Sequence, residues 1–286
     1  MVRSWNDRLF NALNYTILAV IVIAVVFPLL YVVAVSLTPY SEVLKNGGFV
    51  IIPHSITFDS YTAFLNDSLI PRSFGITVFI TLAGTAINLV LTALMAYPLS
   101  KSYLPGRTLL LFLIAFTLLF NGGVVPTYLL VKMTGLINSV WAMILPSAVW
   151  SFNLLIMKTF FEGLPKEVDE AARIDGAGEL RILATIVLPL SMPVIATVGL
   201  FYAVGHWNEF FQAIMYINDS DKFPLQVILR NILASAMMPP MDAEDVLPSE
   251  SLQMSAVVIS ALPIVVVYPF VQRYFTQGML LGSVKG

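Results

Sequence analysis

The sequence predicts an all-α membrane protein with six transmembrane helices. It also predicts a polar helix–turn–helix loop on the cytoplasmic side, between the fourth and fifth spans. Three observations predict this fold class. Of 286 residues, 58% are apolar and 11% are charged, against about 25% charged in ordinary globular domains. Six apolar runs long enough to cross a bilayer follow one another along the chain. The lysines and arginines are unevenly divided between the two sets of connecting segments.

Residues 1–14 are polar and carry Arg3 and Arg8, giving a cytoplasmic N-terminal segment. The first span is expected over 15–37. A cleaved signal peptide is the rival reading, but its apolar core is about 7–15 residues long, and this run is longer. A polar segment from Thr38 to Arg72 leads to the second span, 74–97. After a short basic turn from Pro98 to Arg107, the third span is expected over 108–131. Asn121-Gly122-Gly123 and Pro126 interrupt it, which predicts a broken helix with a short separate piece from Thr127 to Met133. That interruption fits part of an outer gate, and equally a span end running into an interfacial helix. The fourth span is expected over 140–160, the fifth over 192–217 and the sixth over 255–274. Between the last two lies a polar stretch, Asn218 to Ser251, with Pro239-Pro240 and the acids Asp242, Glu244 and Asp245.

Charge sets the orientation. One set of segments carries Arg3, Arg8, Lys101, Arg107, Lys158, Lys166, Arg173, Arg181, Arg273 and Lys285. The other carries Lys45, Arg72, Lys132, Lys222 and Arg230. The richer set faces the cytoplasm, which places both termini and the 161–193 loop there. In that loop Pro165 suits a first helical position. Glu167, Asp169 and Glu170 suit the positive end of a helix dipole. Ala171 and Ala172 are small helix formers, and Gly176 can end the helix in a left-handed conformation. A second helix is expected from near Glu179 to Pro189. The result is an exposed docking element.

The spaced pattern Glu170-Ala171-Ala172, three residues, Gly176, nine residues, Ile186, one residue, Leu188-Pro189 resembles the EAA loop of ABC-importer permeases. Ser260-Ala261-Leu262-Pro263-Ile264, Gln272-Arg273 and the ending Gly278 to Gly286 resemble the last span and tail of the smaller permease of maltose-type importers. Asn121 to Tyr128 resembles the subgroup importing oligosaccharides and polysaccharide fragments, alginate-type importers included. The likeness covers the chain from about residue 74 onward. It implies a permease domain over 15–275 and a cytoplasmic tail over 276–286. It also implies a coupling helix whose ATPase-facing residues are Glu170, Ala171, Ala172, Asp175, Gly176, Ile186, Leu188 and Pro189. Gly278, Gly282 and Lys285 of the tail would touch the ATPase as well. The implied partners are a second, homologous permease, two ATP-binding-cassette subunits that hold ATP and magnesium, an extracytoplasmic solute-binding protein, the sugar and membrane lipid. The site would be the bacterial cytoplasmic membrane.

What is missing from the sequence narrows the chemistry. No Gly-x-x-x-x-Gly-Lys-Ser/Thr occurs, so no P-loop of its own binds ATP. No cysteine is present, which removes thiolate chemistry and disulfides. No nucleophile or His-Glu-x-x-His motif supports an enzyme, and a net charge of −2 gives no nucleic-acid partner. No cofactor or metal is expected in this chain. The fifth span holds the substrate-path candidates Tyr202, His206, Trp207, Asn208, Glu209 and Gln212, because ionisable and polar groups at membrane depth must face protein or water. Tyr202, His206 and Glu209 fall on one helical face by spacing. A packing role, with His206 paired to Glu209, competes with a sugar-contact role. Asn88, Ser151 and Asn153 raise the same question. The rival functions are an ABC permease for another solute and a secondary transporter. The second would need acids on several spans, where Glu209 stands alone.

Overall fold

The computed structural model describes residues 5–66, 69–235 and 249–283, and among them it is helical without strands. The acids Asp242, Glu244 and Asp245, the Pro239-Pro240 pair and Lys285 lie outside the described residues. In chain order the helices are α1 (Trp5–Ser36), α2 (Tyr40–Lys45), α3 (Asp59–Asn66), α4 (Leu69–Ser100), α5 (Arg107–Leu119), α6 (Val124–Met133) and α7 (Ser151–Glu162). There follow α8 (Lys166–Ile174), α9 (Glu179–Ile182), α10 (Leu188–Leu190), α11 (Met192–Trp207), α12 (Phe211–Tyr216), α13 (Leu225–Ser235) and α14 (Glu250–Ser283). The stretches Leu9–Ser36, Leu69–Ser100 and Glu250–Val267 are each long and apolar enough to cross a membrane. Three bent pairs bring the total to six if each pair is one span: α5 with α6 at 115°, the turns over 140–147 with α7 at 51°, and 179–190 with α11 at 86°.

Several expected boundaries move. The first helix is already formed at Trp5, the first described residue, because nothing between Trp5 and Tyr15 breaks a helix. The fourth run opens as two 3-10 turns, Val140–Met143 and Leu145–Ser147, before α7 starts. Pro146 lacks the amide that a regular helix would need there. The fifth run is not continuous to 217. It stops at Trp207, where the Asn208 side chain donates to the Val204 carbonyl at 2.8 Å, and it resumes as α12. Glu209 therefore lies off the helix and not on the face of Tyr202 and His206. The third run is broken as expected, at Phe120 to Gly123, and Gly123 takes φ +89. The last helix continues to Ser283, so Gly278 and Gly282 are helical and not in an irregular tail.

The chain forms two compact units, Met1–Ile70 with Leu229–Leu262, and Pro71–Ile228 with Pro263–Gly286. In the first, Val35, Val43 and Val50 make a small core beside Tyr31 and Met254. Ser251 donates to the Thr38 carbonyl at 2.8 Å. The His54 amide and Ser55 hydroxyl donate to Glu42 and hold its carboxyl below the usual carboxylate range. In the second, Ala93, Ala96, Leu154, Met157, Val194, Val198 and Tyr202 belong to one core shared by α4, α7 and α11.

Candidate functional site

Two places in the second unit carry the polar chemistry. The first is the loop after α7. Pro165 caps α8 from outside (φ −57, ψ 125) and does not enter the helix. The helix ends at Asp175, and Gly176 takes φ +76, a conformation that costs glycine nothing. Ala172 is buried in the core with Ile182, Leu183 and Val187, and Ile186 and Leu188 pack against them. Glu170, Ala171, Asp175, Gly176 and Pro189 remain exposed. Ile174 and Leu180 flank the turn at 87% and 73% exposure. Leu183–Val187 winds as a π-helix just ahead of Pro189, and such a segment relaxes the ladder that a proline would break.

A lattice of charges ties this loop to the α4–α5 turn. Lys101 donates to Asp169 at 2.8 Å, and Arg173 lies 3.4 Å from Asp169 and 2.8 Å from Glu179. Tyr97 donates to Glu179 at 2.6 Å, and Arg173 donates to the Tyr103 hydroxyl. That last bond, reinforced by Glu179, raises the Arg173 pKa further. Lys101 and Arg173 also sit over the rings of Tyr97 and Tyr103, at 4.5 and 4.9 Å. Between the turn and α8 lies a cavity of about 370 Å³, with Lys101, Tyr103, Asp169 and Arg173 in its walls. Sequence reading missed this lattice, because its two groups, Tyr97 to Tyr103 and Asp169 to Glu179, lie far apart in the chain.

The second place is the α4–α11 seam. Ser73, Thr77, Thr81, Thr85, Asn88 and Thr92 recur on α4 every three or four residues, a stripe readable by helical period. Asn88 is fully buried. In the orientation that complements every neighbour, its nitrogen donates to the carbonyls of Gly84 (3.0 Å) and Ala148 (3.2 Å). Its oxygen then accepts from His206 Nε2 at 3.0 Å. Thr92 and Tyr202 share a hydroxyl–hydroxyl bond of 2.7 Å, and the Tyr202 oxygen accepts the Trp150 amide at 3.1 Å. Trp207 is buried, with its ring edge-on to Phe74 at 5.9 Å. Tyr202, His206 and Trp207 are thus brought together against α4. Asn208 is exposed, and Glu209 and Gln212 are half-buried. Glu209 accepts the Gln212 amide at 2.9 Å, and Gln212 donates to Ser147 at 3.2 Å. His206 and Glu209 have separate partners. Asn153 is fully buried on α7, and among the described residues neither of its side-chain polar atoms has a partner. Among the described residues no cluster of His, Asp or Glu could hold a metal.

Residues 102–281 match the family described as binding-protein-dependent transport system inner membrane component. The chain belongs to this permease family. Among its relatives is Protein LplC of Bacillus subtilis (strain 168), 45% identical over 98% of this chain and 96% of LplC. Another is the polygalacturonan/rhamnogalacturonan transport system permease protein YtcP of the same organism, 44% identical over 98% of this chain and all of YtcP. A chain in the crystal structure of a bacterial ABC transporter that imports the acidic polysaccharide alginate superposes with a TM-score of 0.89. It is 31% identical, covering 96% of this chain and 99% of that one. The membership makes this chain an inner-membrane component with apolar spanning helices.

Proposed function

We propose that the chain is the permease subunit of an ATP-binding-cassette importer for oligosaccharides or polysaccharide fragments, crossing the bacterial cytoplasmic membrane six times. The single observation that carries this reading is the full-length likeness to the alginate-importer chain. The name of YtcP points to the same substrate class. The permease domain spans 15–275, with both termini and the 161–193 loop in the cytoplasm, as the lysine and arginine distribution argues.

In this reading α8, the Gly176 turn and α9 form the coupling element. Exposed Ile174 and Leu180 supply apolar contact, and Glu170 and Asp175 supply charge to a groove on an ATPase. The chain catalyses nothing. Two partner ATPases hold ATP and magnesium, a second permease completes the pathway, and an extracytoplasmic binding protein delivers the sugar. Closure of the ATPases draws the coupling elements together and switches the pathway between its two openings, a rigid-body alternation.

Reconstitution tests this. The chain alone in liposomes should neither hydrolyse ATP nor accumulate sugar. With a sister permease, two ATPases and a binding protein, it should take up at least one of trigalacturonide, arabinotriose and maltotriose in an ATP-dependent way. Gradient-driven uptake by the lone chain would instead make it a secondary transporter.

A further inference from the structure

Helices α5 and α7 are tied to each other at two levels. At one, Arg107 donates to Glu162 at 2.6 Å. At the other, the hydroxyls of Thr117 and Ser151 share a bond of 2.7 Å. Ten residues on α5 and eleven on α7 separate the two rungs, about 15 Å at the helical rise. A charged rung belongs at the membrane surface, and half of a hydrocarbon core of about 30 Å is also about 15 Å. Thr117 and Ser151 therefore sit near the bilayer midplane.

At this depth α5 ends. Phe120 turns extended (φ −121, ψ 109), Gly123 takes φ +89, and α6 departs at 115°. The last carbonyls of α5 have no partner within the helix. Asn121 captures one amide, that of Gly123, at 2.8 Å. Residues 117–126 are all exposed, and none of the described residues buries the break. Hydrocarbon cannot solvate it, so it must line water or protein. Beside it the rings of Phe116 and Phe120 stack at 4.3 Å, and both are exposed. No Lys, Arg, Asp or Glu occurs between Arg107 and Lys132.

We propose that the break from Thr117 to Gly123, with Ser151, is a midplane sugar-contact site in the translocation passage. The aromatic pair offers a flat apolar face to a sugar ring. The Thr117 and Ser151 hydroxyls, the Asn121 amide and the freed backbone groups meet sugar hydroxyls. The site is uncharged, so it reads ring and hydroxyl and is indifferent to a uronic carboxylate. This rests on the importer reading above.

The chain has no native cysteine, so single cysteines report directly. In the assembled complex, Asn121→Cys should react with an impermeant maleimide in either the nucleotide-free or the ATP–vanadate state. Phe120→Ala should lower uptake of whichever of the three test sugars the wild-type complex carries by about tenfold, the size of one lost ring contact. Assembly, read by co-purification of all subunits, should stay intact. Thr117→Val, a milder change, should lower uptake in the same direction. An Asn121→Cys that is unlabelled in both states, with normal uptake by Phe120→Ala, overturns the midplane site and leaves the importer reading standing. Failure of the wild-type complex to carry any of the three sugars removes the importer reading, and the site with it.

Discussion

A Cβ on Gly84 would lie 2.5 Å from His206 Nε2. The imidazole cannot swing away freely, because Asn88 holds that nitrogen at 3.0 Å. Glycine at 84 thus lets α4 and α11 approach closely enough for a buried polar seam to close. Gly84→Ala should destabilise the protein by about 1–3 kcal/mol, the usual cost of overpacking. His206→Ala removes the obstructing ring. The double variant should therefore be more stable than the sum of the singles, by about 1 kcal/mol or more of coupling. Melting in detergent of the two singles and the double measures this, and strict additivity would refute the clash.

Gly176 is a different case. Its φ is +76, yet a Cβ there would meet none of the described residues within 4 Å. The penalty for substitution is therefore backbone strain alone. Gly176→Asn should be mild, Gly176→Ala worse by about 1 kcal/mol, and Gly176→Val worst, following the tolerance of each residue for the left-handed region. If α8 and α9 form the coupling element, sugar carried per ATP should fall in the same order. Glu170→Lys, on the exposed face, should weaken ATPase association without lowering expression. Normal uptake by both Gly176→Val and Glu170→Lys would place the coupling element elsewhere.

The two glycines mark what the sequence could disclose. Gly176 was legible, because a turn glycine after a capped helix is a local signal. The break at Asn121-Gly122-Gly123 was legible for the same reason. Gly84 was not, since its neighbour lies more than a hundred residues away. The break at Asn208 was hidden because no proline or glycine lies between His206 and Ile217, and a side-chain bond to the Val204 carbonyl marks the stop. The His206–Glu209 pairing suggested by spacing gave way once the helix ended between them. The Asn88–His206 bond depends on which span α11 packs against, and hydropathy holds no such information.

The charge lattice predicts a separation of binding from coupling. Asp169 receives Lys101 from the α4–α5 turn and Arg173 from its own helix. Both partners keep part of their surface in solvent, so Asp169→Asn should cost only about 1 kcal/mol of stability. In the importer reading this lattice passes movement of α8 to α4. Asp169→Asn should then leave ATP hydrolysis and ATPase association near normal while sugar carried per ATP falls. Uptake and hydrolysis falling together would instead make the lattice a matter of assembly.

Orientation is checked by the same cysteine-free background. Cysteines placed singly at Ser4, Ala177, Ser283 and Ser220 should differ in intact cells. An impermeant thiol reagent should reach Ser220→Cys only, as the distribution of lysine and arginine requires. Reaction at Ala177→Cys from outside would invert the topology and take the α8–α9 turn away from any cytoplasmic ATPase.

Trp207 and Glu209 test whether the end of α11 is passage or scaffold. Trp207 is 6% exposed and meets Phe74 edge-on, so its indole already has a partner within the chain. Trp207→Ala should cost about 3 kcal/mol, as large-to-small changes in packed interiors do. Uptake per correctly assembled complex should stay close to wild type. Glu209 accepts the Gln212 amide at the start of α12. Glu209→Gln retains an acceptor oxygen and should be nearly silent. Glu209→Ala removes the acceptor and should cost about 1 kcal/mol, the size of a lost helix cap. A scaffold role therefore predicts that stability follows the order Glu209→Gln, Glu209→Ala, Trp207→Ala while uptake per complex holds. A passage role predicts the reverse signature: Glu209→Gln stays stable but loses uptake. Melting and uptake measured on the same three purified complexes decide between them.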